Sequence, residues 1–255
     1  MRILVFQHVA SEHPGSFRDV MAARGCVMHQ VELDEGEPIP PLDGFDILLV
    51  MGGPMDVWEE DKFPWLVTEK AAIRDWVSAG RPYLGMCLGH QLLAEAMGGK
   101  ATLMTAPPEV GMSKVQQLIP ANGGPDPIFK NVPALCTCFQ WHGAEVVELP
   151  PGARLLATSP GCAVQGFAIG RNAYGLQFHM ELTATTAAEW GALPEYAAAL
   201  ERVKGPGALP RLQAEVDAEF AELQANAHKI FANFLDIAED ILAPKNLGTE
   251  RMGSN

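Results

Sequence analysis

The chain is short of cations. Lysine and arginine total 18 against 31 aspartates and glutamates, a net charge of −13. No basic run interrupts that balance, so the sequence offers little to a nucleic-acid backbone or an anionic membrane surface. Long apolar runs are also missing. None approaches the roughly 18 residues that a membrane-spanning helix requires. The opening MRILVFQH has no apolar stretch of the secretory type, so no signal peptide is expected. The five cysteines (Cys26, Cys87, Cys136, Cys138 and Cys162) are odd in number and lack a framework spacing. This predicts reduced thiols and a cytoplasmic location. Cys136 and Cys138 have no second pair to complete a four-ligand zinc site, so no metal is expected.

What the chain has in quantity is apolar residues, at 48% over 255 positions. That is enough for one large core. The apolar runs 2–8, 26–33, 45–53 and 82–87 read as buried strands. Helical spacing separates them over 16–25 and 63–80 and follows the last over 90–99. Strands alternating with helices predict an α/β fold with a doubly wound, mostly parallel sheet flanked by helices. From about 100 to 180 the pattern changes to shorter strand-like runs. Residues 184–200 read as helical, GPGALP (205–210) breaks the chain, and 210–242 reads as one long helix. In that helix Val216, Phe220, Leu223, Ala227, Ile230, Phe231 and Phe234 form an apolar stripe suited to packing on the core.

Three short segments carry the chemistry. In Gly85-Met86-Cys87-Leu88-Gly89 a cysteine stands where a strand meets a helix, the form of a nucleophile elbow. Flanking glycines make room for the sharp turn, and the N-terminus of the following helix favours a thiolate or an oxyanion. In Gln177-Phe178-His179-Met180-Glu181 the alternate residues of a strand would share a face. Glu181 could then hold one ring nitrogen of His179 and leave the other for the thiol. In Gly52-Gly53-Pro54 a strand ends in glycines, and an exposed backbone N–H there could supply half of an oxyanion hole.

Together these segments resemble the class I glutamine amidotransferases, in particular stand-alone domains similar to the amidotransferase half of GMP synthase. The likeness rests on Gly52-Gly53-Pro54, on Gly85 through Gln91, and on Gln177 through Glu181, in that order, and covers about residues 1–182. It implies a Cys–His–Glu triad of Cys87, His179 and Glu181. It implies an oxyanion hole from the N–H groups of Gly53 and Leu88, and substrate contacts at Gln91. FQWHGAE (139–145) resembles the stretch that holds the amino-acid end of glutamine, which suggests Trp141, Gly143 and Ala144. Two positions depart from the family. Met180 replaces a usual proline and is expected to point away from the site, with little effect on the triad. Ala144 stands where GMP synthase-type relatives often have aspartate.

The resemblance implies hydrolysis of the glutamine side-chain amide through a cysteine thioester, with no cofactor. The chain has neither a G-x-x-x-x-G-K-[ST] loop nor a Ser-Gly-Gly-x-Asp-Ser signature. An ammonia acceptor is therefore on another chain, such as a synthetase subunit, or absent. Alternatives are a γ-glutamyl hydrolase or peptidase using the same triad, and a non-catalytic regulatory or partner subunit. An α/β-hydrolase with a cysteine elbow fits less well, because its acid usually precedes the histidine. The expected organisation is a catalytic domain over 1–182, a helical extension over 183–243 packed on it, and a flexible tail over 244–255. The sequence leaves the oligomeric state open.

Overall fold

A computed structural model describes residues 1–121 and 123–243; the expected flexible tail lies outside the described residues. The buried runs form β1 (Arg2–Gln7), β2 (Val27–Glu32), β3 (Ile47–Val50) and β4 (Tyr83–Met86). Between and after them lie α1 (Phe17–Ala23), α2 (Trp65–Ser78) and α3 (Leu88–Ala96). β3 and β4 are buried at every position, as expected of central parallel strands covered on both faces. α1 stops at a Schellman turn: Cys26 N–H donates to Met21 O at 2.9 Å, and Gly25 N–H donates to Ala22 O at 3.1 Å. Gly25 takes the left-handed conformation there, φ +61°, which a side chain would resist.

The short runs after residue 100 become β5 (Lys100–Leu103), β6 (Glu109–Gln117), β7 (Leu135–His142), β8 (Ala144–Glu148), β9 (Ala153–Thr158), β10 (Gly166–Ile169) and β11 (Ala173–Leu176). The main sheet has the order β2-β1-β3-β4-β11-β10-β9-β6-β7, and β5 pairs with β8 in a small second sheet. The neighbours from β2 to β11 run parallel. Those from β11 to β7 run antiparallel. The change of character read near residue 100 is this change of strand direction.

The C-terminal helices are α4 (Thr186–Gly191), α5 (Pro194–Lys204) and α6 (Leu209–Leu242). α5 runs past the expected end at residue 200, and Pro210 lies in the first turn of α6, where its missing N–H costs nothing. Val216, Leu223, Ala227, Ile230, Phe231 and Phe234 of the expected stripe are buried, while Phe220 is partly buried against them. Each fully buried Phe of this kind is worth about 1.5–3 kcal/mol. Two apolar clusters lie on the two faces of the sheet. One joins α1, α4, α5 and α6, and the other joins α2 and α3.

Candidate active site

The carboxyl ends of β1, β3, β4 and β11 converge, the usual location of a site in an open α/β sheet. Cys87 lies one residue beyond β4 and caps α3, which begins at Leu88, two residues before its expected start. Its backbone has φ 49° and ψ −102°, an unfavourable conformation for a side-chain-bearing residue. The flanking glycines are required by close approach. A Cβ on Gly85 would collide with Gly89 O, and one on Gly89 would collide with Val50 O. Tyr83 Oη donates to Gly89 O at 2.7 Å and ties the turn down from below.

The strand expected over Gln177–Glu181 ends early, at Leu176. The chain bends over Gln177 and Phe178 and touches the sheet again only through an isolated bridge between His179 and Phe139. His179 N–H donates to Phe139 O at 2.8 Å, and Phe139 N–H donates to His179 O at 3.0 Å. A regular strand face is therefore not what brings these side chains together. Even so, His179 Nδ1 lies 2.7 Å from Glu181 Oε1, and Gln177 Nε2 lies 3.6 Å from Cys87 Sγ.

The electrostatics follow from burial. Burial would lower the His179 pKa, but the charge of Glu181 and then that of Cys87 outweigh it and raise the value well above the ordinary one. Burial alone would raise Glu181, and the facing His179 pulls it below the usual carboxylate value instead. Burial raises the Cys87 thiol, with His179 opposing. His179 Nε2 is buried with no hydrogen-bond partner among the described residues. His90, next to the elbow, is not an alternative base. Burial lowers its pKa to about 3, and its ring packs on Phe167.

Met180 corrects an expectation. Its side chain is buried in the core, away from the site, as expected. Its backbone does take part: the N–H donates to Glu181 Oε2 at 2.9 Å. A proline there would have no such donor.

A cavity of about 70 Å³ opens over Cys87. Gly53, Leu88, Gln91, Trp141, Gly143 and Ala144 all line it. The N–H groups of Gly53 and Leu88 donate to no acceptor among the described residues. Gln91 Nε2 is already engaged, with Gln177 Oε1 at 3.1 Å and Ala144 O at 3.3 Å. Trp141 offers a buried, unpartnered Nε1–H in addition to its backbone. Asp56 and Tyr196, which carried no motif, also line the cavity. A second cavity of about 130 Å³ shares Pro54, Trp141, His142, Gly143 and Tyr196 and extends to Glu195 and Arg202.

The C-terminal helices reach the triad. Trp190 of α4 meets the His179 ring edge-on, with centroids 4.6 Å apart and planes at 72°. Its Nε1–H donates to Ser11 O at 3.0 Å. Tyr196 of α5 donates its hydroxyl to Glu12, a carboxyl buried beyond the end of β1. Burial raises the Glu12 pKa, while His179 and Tyr196 oppose it. Both Glu12 Oε2 and His179 Cε1 lie within 3.0 Å of the point a Gly52 Cβ would occupy.

Among the described residues, no group of three or more His, Cys, Asp or Glu is arranged to hold a metal ion. No described helix is long and apolar enough to cross a membrane.

The family model for glutamine amidotransferase class-I matches residues 16–190, more than half of the chain. The chain belongs to the class I glutamine amidotransferase family. It is 32% identical to the glutamine amidotransferase-like protein YfeJ of Salmonella typhimurium, over 72% of this chain and 77% of that one. It is also 32% identical to a separate subunit of the glutamine-hydrolyzing GMP synthase of Sulfurisphaera tokodaii, over 62% of this chain and 79% of that one. The solved structure of a glutamine amidotransferase from Thermotoga maritima superposes with a TM-score of 0.81 at 28% identity, covering 92% of this chain and 98% of the other. The α/β sheet with its flanking and C-terminal helices is thus the fold of this family.

Proposed function

We propose that the protein hydrolyses the side-chain amide of glutamine to glutamate and ammonia through a thioester on Cys87. One observation carries the reading. A Cys at the N-terminus of α3 shares a cavity with the unbonded N–H groups of Gly53 and Leu88, beside an imidazole backed by Glu181 at 2.7 Å. In this reading Cys87 gives its proton to His179 Nε2, and Glu181 stabilises the imidazolium that results. Cys87 Sγ attacks the amide carbonyl, and the Gly53 and Leu88 N–H groups receive the oxyanion. One such donor is typically worth about 3–4 kcal/mol in the barrier. His179 protonates the departing nitrogen as the C–N bond breaks, and ammonia leaves. Water, deprotonated by His179, then attacks the thioester, and glutamate leaves as Cys87 regains its proton.

Glutamine, or a related γ-glutamyl amide, is the substrate in this account, bound in the cavity beside Gln91, Trp141, Gly143 and Ala144. The likeness to a chain named as one subunit of a glutamine-hydrolyzing GMP synthase supports an ammonia acceptor on a separate chain. The residues over 183–243 belong to the catalytic unit, a reading supported by the contacts of Trp190 and Tyr196.

A second reading, a γ-glutamyl hydrolase or peptidase, is favoured by the larger adjoining cavity, which gives room beyond that needed for glutamine. Incubation with L-glutamine separates the two. Equal yields of glutamate and ammonia, abolished in Cys87→Ala, support the first. Turnover of γ-glutamyl peptides without turnover of glutamine supports the second. No turnover of either would contradict both.

A further inference from the structure

Behind the glycine turn lies a buried pair that the chemistry above does not use. His8 follows β1 and Glu69 lies on α2, and both side chains are fully buried. His8 Nε2 is 2.9 Å from Glu69 Oε1, and His8 Nδ1 is 2.8 Å from the carbonyl oxygen of Gly52. Trp65 stacks on the imidazole, with centroids 5.3 Å apart and planes at 15°. A carbonyl oxygen only accepts, so Nδ1 carries a proton. Burial would lower the His8 pKa, but the charge and hydrogen bond of Glu69, with the Gly52 carbonyl, outweigh it and raise the value.

Three contacts fix this ring, and the ring fixes one peptide plane. The Gly52 C=O and the Gly53 N–H belong to the same peptide group. The described residues contain no cis peptide, and in a trans peptide these two bonds point in opposite directions. Holding the carbonyl on the His8 side therefore turns the Gly53 N–H to the other side. Gly53 lines the Cys87 cavity, and its N–H has no acceptor among the described residues. Two successive glycines would otherwise leave this plane weakly determined. A hydrogen bond to the carbonyl also polarises the amide and strengthens its N–H as a donor.

We propose that His8 is a positioning residue: held by Glu69 and Trp65, it locks the Gly52–Gly53 peptide so that the Gly53 N–H stays aimed at the oxyanion formed during attack by Cys87. The inference rests on the amide-hydrolysis reading above and adds to it the group that orients half of the oxyanion hole.

Two substitutions divide the two bonds of the ring. Asn at position 8 carries its amide nitrogen near the place of Nδ1, within reach of Gly52 O. Gln carries it near the place of Nε2, within reach of Glu69. His8→Gln is expected to lower kcat for glutamine hydrolysis on the order of 10²-fold with KM changed by less than about threefold. His8→Asn is expected to recover about tenfold or more of that loss. A pair that only fills the core predicts the reverse order, because Asn abandons the buried Glu69. Equal or reversed kcat values would overturn the proposal.

If His8→Gln does not fold, Glu69→Gln takes its place. It keeps the shape of the pair and loosens the ring, so kcat falls at unchanged KM. An unchanged kcat would overturn the proposal. The ¹⁵N relaxation dispersion of the Gly53 amide reads the lock without turnover. It is expected to be quiet in the wild type and in His8→Asn, and to show millisecond exchange in whichever of the two Gln variants folds. If the wild type hydrolyses no γ-glutamyl amide, the reaction reading falls, and this measurement still decides the lock. A Gly53 amide equally quiet in every variant would overturn the lock alone.

Discussion

At Cys87 two influences oppose each other. Burial raises the thiol pKa, while His179 and the N-terminus of α3 favour the thiolate. Burial is the larger, so the free protein holds mostly thiol at neutral pH. The alkylation rate of Cys87 by iodoacetamide is therefore expected to keep rising above about pH 8.5, the ordinary cysteine pKa. A plateau below pH 7 would show a preformed thiolate–imidazolium pair instead. Glu181→Gln leaves the shape intact and removes the charge behind His179. It is expected to lower kcat by roughly 10²–10⁴-fold, in the range seen when the acid of such a triad is neutralised. The residues that line the cavity were legible because each lies within a few positions of a strand end marked by glycine or by a short polar motif. Glu12 and Tyr196 were not legible. They meet across 184 positions of sequence, through a helix whose placement no local pattern announces. The part played by the Met180 N–H was equally invisible, since a backbone donor leaves no mark in the residue type.

At the scale of elements, the turn between β4 and α3 and the helix α4 hold the site from opposite sides. Gly89 packs against the Val50 carbonyl with no room for a methyl group. Gly89→Ala is expected to destabilise the protein by about 1–3 kcal/mol or more, read as a lower urea midpoint at unchanged m-value. Trp190→Ala removes a buried ring from the His179 edge and is expected to cost about 3–5 kcal/mol. Trp190→Phe keeps the aromatic contact and loses only the bond to Ser11 O, so it is expected to retain most of that stability. Existence and type of the first elements followed from periodicity. The segment 177–181 misled, because its alternation of polar and apolar residues suits a strand although the ladder has ended at Leu176. Its alternation serves a bend that puts Phe178 and Met180 in the core and His179 and Glu181 at the site.

At the scale of the whole molecule, the buried acids give stability a pH dependence of two opposite signs. The folded pKa of Glu181 is lowered. Its contribution is thus complete above the ordinary glutamate value of about 4.3 and is lost as pH falls through the lowered folded value. The folded pKa of Glu12 is raised. Between its unfolded and folded values the native state holds the extra proton, so stability falls as pH rises through that window. Glu12→Gln removes this liability. Its urea midpoint relative to the wild type is expected to be higher at pH 8 than at pH 4, and a constant difference would contradict the assignment. The parallel half of the sheet was legible from alternating strands and helices, since such connections allow few topologies. The antiparallel order from β11 to β7 was not, because it depends on pairings between distant short strands.

The central claim is a covalent bond at one sulfur. Wild-type protein mixed with L-glutamine and quenched in acid within milliseconds to seconds, then digested and weighed by mass spectrometry, tests it directly. The account predicts a γ-glutamyl group on the peptide that contains Cys87, formed no more slowly than glutamate appears and absent from Cys87→Ala. Glutamate release with no adduct at any time, or release that persists in Cys87→Ala, would contradict it.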